Sequence, residues 1–146
     1  MKIYKERVEF ESHTQIEFID ITDRIEEVIS RSGIREGQVL IYASHTTMGI
    51  AINHNESMLI QDFMRLLYRL VPVDDQYSHD LFELRRDSGA DGRSNGHSHC
   101  KALLVGNSEA IPIERGKMIL SERQSVFAID FDGARPRDVV VQVIGL

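Results

Sequence analysis

The chain carries six histidines, and what each can do depends on its neighbours. His45 stands in "SHTTMG", where Ser44, Thr46 and Thr47 bring hydroxyls to the end of an apolar run. Core positions avoid unpaired hydroxyls, so this group reads either as a local hydrogen-bonding corner or as the rim of a pocket. His79 in "DDQYSHDLFE" and His97 and His99 in "DGRSNGHSHC" lie at the two ends of a segment with little periodicity. Neutral imidazole is a favoured zinc ligand, and three imidazoles with one open position form a recurrent catalytic arrangement. Widely separated histidines carry no spacing signature, however, and scattered surface histidines account for the same residues.

Charged side chains add further options. Asp80, Glu83, Asp87 and Asp91 thicken the negative charge of that segment. They read as a solvated loop or as carboxylates that hold Mg²⁺ together with substrate phosphates. Arg135 and Arg137 in "DFDGARPRDV" are two apart, and guanidinium forks match phosphate oxygens; two surface arginines on a turn fit equally well. His99 and Lys101, also two apart at what reads as a strand start, are expected on one side of a sheet. In "NHN", Asn53 or Asn55 is expected to cap the following helix, with His54 pointing to solvent. Cys100 has no second cysteine to pair with and reads as a small buried apolar group.

The elements that must position these groups follow from periodicity. "KIYKERVEF" and "TQIEFIDI" alternate and read as a hairpin. Ile21, Ile25, Val28 and Ile29 share one helical face, with Thr22 or Asp20 as cap and Gly33 as exit. "VLIYAS" and "MGIAIN" read as strands on either side of the His45 corner. Residues 56–70 form the longest helix, ended by Pro72. Residues 73–98 are irregular, which in a compact domain points to a functional loop. "CKALLVG", "AIPI", "KMIL", "SVFAIDF" and "DVVVQVIG" return to strand patterns. The expectation is an α+β fold, a mostly antiparallel, sandwich-like sheet system with two main helices, in one domain over residues 1–146.

Composition narrows the classes further. With 146 residues, 42% of them hydrophobic and 27% charged, the chain matches an ordinary folded protein. Its net charge of −6 argues against wholesale nucleic-acid binding, which needs a basic surplus. No apolar run is long enough to cross a bilayer and the amino terminus lacks the apolar stretch of a signal peptide, so no membrane partner and a cytoplasmic location are expected.

Taken in order, "HTTMGIAINHN", "YSHDLFE", "NGHSHCKALLVG", "IPIERGKMIL", "SERQSVFAIDFDGARPR" and "VVVQVIG" resemble the YjbQ family, also called secondary thiamine-phosphate synthases, over essentially the whole chain. The resemblance implies a homotrimer of α+β sandwich-like subunits. It also implies a site near the subunit interfaces where His45, His79 and His99 hold a divalent metal, zinc or magnesium. On the same basis Thr46, Thr47, Asn53, Asn55, Asn95, Lys101, Gln124, Arg135 and Arg137 are expected to bind a small phosphorylated substrate, with Asp80 or Glu83 as the nearest candidate base. The implied activity joins a pyrimidine methyl pyrophosphate to a thiazole phosphate, giving thiamine phosphate and pyrophosphate. A metal-dependent hydrolase and a non-catalytic protein holding a metal or small anion are the competing expectations. The chain departs from the family pattern at His54, where a glutamate is common, and in "SERQ", where "GTWQ" is usual.

Overall fold

Strand β8 (Pro136–Gly145) shows how alternation builds the core: Arg137, Val139, Val141 and Val143 point inward while the residues between them are half-exposed. It is the second strand of the larger sheet in a computed structural model that describes residues 1–81 and 94–146. On one side β8 pairs antiparallel with β1 (Lys2–Glu11), and on the other with β3 (Gly37–Tyr42). Beyond β3 come β5 (Ser108–Glu114) and the short β6 (Lys117–Met118), giving a five-stranded sheet ordered β1-β8-β3-β5-β6. A second antiparallel sheet places β7 (Ser125–Asp130) between β2 (Glu17–Asp20) and β4 (Met48–Asn53).

Helix α1 (Thr22–Ser32) packs against strands of both sheets and buries Ile25, Val28 and Ile29. The Asp20 carboxylate accepts from the Thr22 amide at 3.0 Å and from its hydroxyl at 2.6 Å, which satisfies the helix start. Gly33, at φ 70°, adopts the left-handed conformation that ends it. These three side chains join Val39, Ile41, Ile50, Val126, Ala128, Val139, Val141 and Val143 in the main cluster. Each fully buried aliphatic side chain contributes about 1.5–3 kcal/mol.

Strand β7 is buried on both faces. Val126 and Ala128 face the main cluster, whereas Phe127 and Ile129, with Phe131 just beyond the strand, meet Leu67 and Ala102 in a second one. Leu67 belongs to α2 (Ser57–Leu70) and Ala102 to α3 (Gly96–Val105). The fold is therefore α+β, with three α-helices and two antiparallel sheets among the described residues.

Four expectations need correction. The first two strands form no hairpin with each other: β1 runs along β8 over ten residue pairs, and β2 joins the other sheet beside β7. "KMIL" supplies only the two residues of β6. Helix α2 is capped by Glu56, whose carboxylate accepts from the Leu59 amide at 2.6 Å, rather than by either asparagine. Asn55 instead donates to Asp20 at 2.9 Å, and His54 is half-buried.

The largest departure is α3, a third helix where a strand was expected. Its buried residues His97, Ser98, Lys101 and Ala102 follow helical spacing, but three of them are polar, so no hydrophobic period reveals the stripe. Ala102, Leu103 and Leu104 are good helix formers, and only Val105 is β-branched. On this helix His99 and Lys101 no longer share a face. Cys100 is exposed rather than buried.

Candidate functional site

Asp130 ends β7 in one sheet and Arg137 is the second residue of β8 in the other. Their side chains meet between the sheets: Arg137 donates from Nε to Asp130 Oδ2 at 3.0 Å and from Nη2 to Oδ1 at 2.8 Å. Asp130 is fully buried and Arg137 6% exposed, so each charge needs the other. Ser12 Oγ donates to Asp130 Oδ2 at 2.7 Å and the Asp132 amide donates to Oδ1 at 2.8 Å. Arg137 Nη2 also donates to Thr47 Oγ1 at 2.7 Å. Burial alone would raise the Asp130 carboxyl, but the hydrogen bonds from Arg137, Ser12 and the Asp132 amide hold it below the ordinary carboxylate range.

His45 sits beside this pair at the corner between β3 and β4. Its Nε2 lies 2.8 Å from Asp138 Oδ1 and 3.1 Å from the Asp138 carbonyl oxygen, both acceptors, so Nε2 carries the proton. Nδ1 is left facing Arg137 Nη1 at 3.5 Å. The Asp138 carboxyl is held low, first by its bond from His45 and then by Arg7. The imidazole borders two clefts. One, of about 550 Å³, is lined by Glu9, Phe10, Glu11 and Asp138, and the other, of about 510 Å³, by Thr46, His99 and Leu103.

A second polar chain runs from β8's approach to α3. Arg135 Nη2 stands 3.6 Å from Asp132 Oδ2, which accepts from Asn95 Nδ2 at 3.0 Å. Asn95 Oδ1 accepts from His79 Nε2 at 3.0 Å. The His79 ring meets the His99 ring edge-on, with centroids 4.6 Å apart. His79 lies on a single 3-10 turn, Ser78–Asp80, which is fastened to α3 because the Asp80 carboxylate accepts from the Gly96 amide at 3.0 Å. That bond gives Asp80 a helix-capping role, while Glu83, the other candidate base, lies outside the described residues. Inside α3, Lys101 Nζ is 2.8 Å from His97 Nδ1, with both side chains fully buried. Burial pushes Lys101 down, and it pushes His97 down together with the nearby Lys101 charge.

The expected residues therefore divide. His45, Thr47, Arg135 and Arg137 share one hydrogen-bonded group with Asp130; His79, Asn95 and His99 form another, which meets the first through Asp132 and through the cleft that His45 and His99 share. Thr46 is exposed at the rim of that cleft. Asn53, Asn55 and Gln124 are elsewhere. In the β4–β7 ladder Met48 pairs with Asp130 but Asn53 pairs with Ser125, which puts Asn53 about 17 Å along the strand from the histidine end. Gln124 sits at that far end too, accepting from the Ser121 amide at 2.9 Å. Among the described residues no three His, Cys, Asp or Glu side chains gather where a single ion could be held, so this arrangement does not assemble the three-imidazole ligand set.

Sequence reasoning missed Asp138 as the partner of His45, and Ser12 and His97 as buried polar groups. The signal for Asp130 and Arg137 was present: charged residues at inward positions of otherwise apolar strands need a partner.

Two sheets packed about a polar, histidine-bearing end define a sandwich-like α+β protein. The family model described as "UPF0047 protein YjbQ-like" matches residues 6–146, and the chain belongs to that family. A UPF0047 protein of Methanothermobacter thermautotrophicus is 35% identical over 145 residues, covering 99% of this chain and 94% of its own. One from Archaeoglobus fulgidus is 39% identical over 130 residues, covering 89% and 93%. A crystal structure from Sulfolobus solfataricus, described as a YbjQ-like protein of unknown function, superposes with a TM-score of 0.90 at 27% identity and covers 99% of both chains.

These findings overturn the thiamine-phosphate synthase expectation. The relatives are described as UPF0047 proteins, and the superposing structure as one of unknown function, so none of them indicates a synthase activity. The structure also engages the cations meant for phosphate: Arg137 with Asp130 and Thr47, Arg135 beside Asp132, Lys101 with His97. No helix among the described residues is long and apolar enough to cross a membrane.

Asp130→Asn leaves the Arg137 charge without its counterion and is expected to cost about 3–5 kcal/mol, read by urea denaturation. A carboxyl lowered on folding contributes stability above its unfolded value, and that stability is lost as pH falls through the folded one. The parent protein should therefore lose stability below about pH 4, and the loss should be shallower in Asp130→Asn.

Proposed function

We propose that the histidine end is an acid–base site in which the His45 imidazole exchanges a proton with a small polar molecule in the adjoining cleft, so that the protein is an enzyme. The observation that carries this reading is the 2.8 Å bond between His45 Nε2 and Asp138 at a cleft wall. Arg137 Nη1 faces Nδ1 at 3.5 Å and fixes the ring, so the proton that exchanges is the one Nε2 shares with the Asp138 carboxylate at the cleft wall. Thr46, exposed at the rim, offers a hydroxyl to the bound molecule. Glu9 and Glu11 line the larger cleft and disfavour a polyanion there. With p-nitrophenyl acetate as probe, His45→Gln should slow hydrolysis by about 10²-fold and Asp138→Asn by less. Equal rates for parent and His45→Gln would contradict the reading.

A second reading adds a divalent ion to the same end, favoured by the His79–His99 contact and by the cleft that His99 shares with His45. Imidazoles suit zinc, whereas magnesium prefers oxygen ligands. The three rings do not converge as they stand among the described residues, so the ion would have to draw His45, His79 and His99 together on binding, and it would then supply Lewis-acid polarisation. The homotrimer belongs to this reading as well: Leu103 is 86% and Leu104 56% exposed on α3 beside His99, an apolar surface that a neighbouring copy would cover. Native mass spectrometry of zinc-titrated protein tests both parts. Three chains with one zinc each, and zinc lost in His99→Ala, are expected; a metal-free monomer at saturating zinc would refute this second reading.

A further inference from the structure

At the opposite end of the molecule a cleft of about 500 Å³ runs between α1 and the turn joining β5 to β6. Its helical wall carries Asp23 and Glu26 near the start of α1 and Gly33 at its exit, while Arg35, Arg115 and Lys117 also line it. In the turn, Arg115 has φ 54° and Gly116 φ 80°. Two successive left-handed residues suit Asn-Gly or Gly-Gly, because a larger side chain is disfavoured at the first position. Among the described residues Arg115 is the only non-glycine with positive φ.

Backbone bonds explain the turn but not its arginine. The Arg115 amide donates to Glu36 Oε1 at 2.9 Å and the Gly116 amide to the Arg35 carbonyl at 2.9 Å, and both bonds would form whatever side chain stood at 115. Their effect is to bring the Arg115 and Arg35 side chains to one cleft. Among the described residues neither guanidinium makes an ion pair or a hydrogen bond, although the chain has a surplus of acidic groups and a net charge of −6.

We propose that this cleft binds a small molecule through one oxyanion group held between Arg35 and Arg115. Guanidinium forks match the paired oxygens of a phosphate or carboxylate. Lys117 stands beside them, its charge facing Glu26. Asp23 and Glu26 repel additional negative charge, which limits the ligand to a single anionic group and excludes a polyphosphate or nucleic-acid strand. The cleft adjoins the far end of β8, where Gly145 pairs with Gly37, about 26 Å along the strand from Arg137. The proposal is therefore independent of the acid–base reading.

Titration of ¹⁵N-labelled protein with inorganic phosphate, and separately with acetate, tests it. Amide shifts should centre on residues 33–36 and 115–117, and the acetate arm distinguishes a carboxylate ligand from a phosphate one. The Arg35→Gln/Arg115→Gly double variant should bind at least ten-fold more weakly while melting no lower than the parent, since glycine suits the left-handed position. Arg35→Gln alone, which leaves the turn untouched, should fall between. Absence of shifts with both anions, shifts confined to residues around His45 and Arg137, or a double variant that binds as tightly as the parent would each overturn the proposal.

Discussion

A guanidinium sealed between two sheets must be paired, and that requirement organises the functional end of this protein. Arg137 occupies an inward position on β8, where alternation continues with Val139, Val141 and Val143. Its charge is met by Asp130 of the facing sheet and its remaining donors reach Thr47 and His45. The pair thus ties β7, β8 and the corner before β4 to one point. Because side chains alternate, the next residue, Asp138, faces the other way and receives His45. One strand supplies both the clamp and the partner of the imidazole.

The same pairing shapes what the site is suited to do. A phosphate-handling site needs cations whose donors are open to the ligand, whereas Arg137 and Lys101 spend theirs inside the protein. What remains at the cleft walls is the His45 imidazole with a carboxylate beside it and the His99 imidazole on α3, whose ring meets that of His79. Groups of that kind move protons or hold a metal rather than clasp a polyanion. Two guanidinium groups that make no ion pair or hydrogen bond among the described residues, Arg35 and Arg115, line a cleft beside the turn between β5 and β6.

Much of this architecture was legible from alternation. β3, β7, β8 and the apolar stripe of α1 appear where periodicity places them, because their buried positions carry apolar side chains. Helix α3 was not legible, since Lys101, His97 and Ser98 fill its buried stripe and a hydrophobic pattern cannot register polar residues that satisfy one another. Partner choice was also hidden: nothing local in β1 says that it pairs with residues 136–145 instead of its neighbour in sequence. Asn53 and Gln124 looked like site residues because a linear motif does not say which end of a strand faces the site.

The Asp130–Arg137 pair, and not the apolar core, holds the histidine end in place. Amide hydrogen exchange on Arg137→Met tests it most directly, since methionine keeps much of the volume and removes the charge. Faster exchange confined to residues 44–47 and 130–138, with α1 and the centre of β8 still protected, is the result this account predicts. Protection unchanged at the corner, or lost equally across α1 and both sheets, would contradict it.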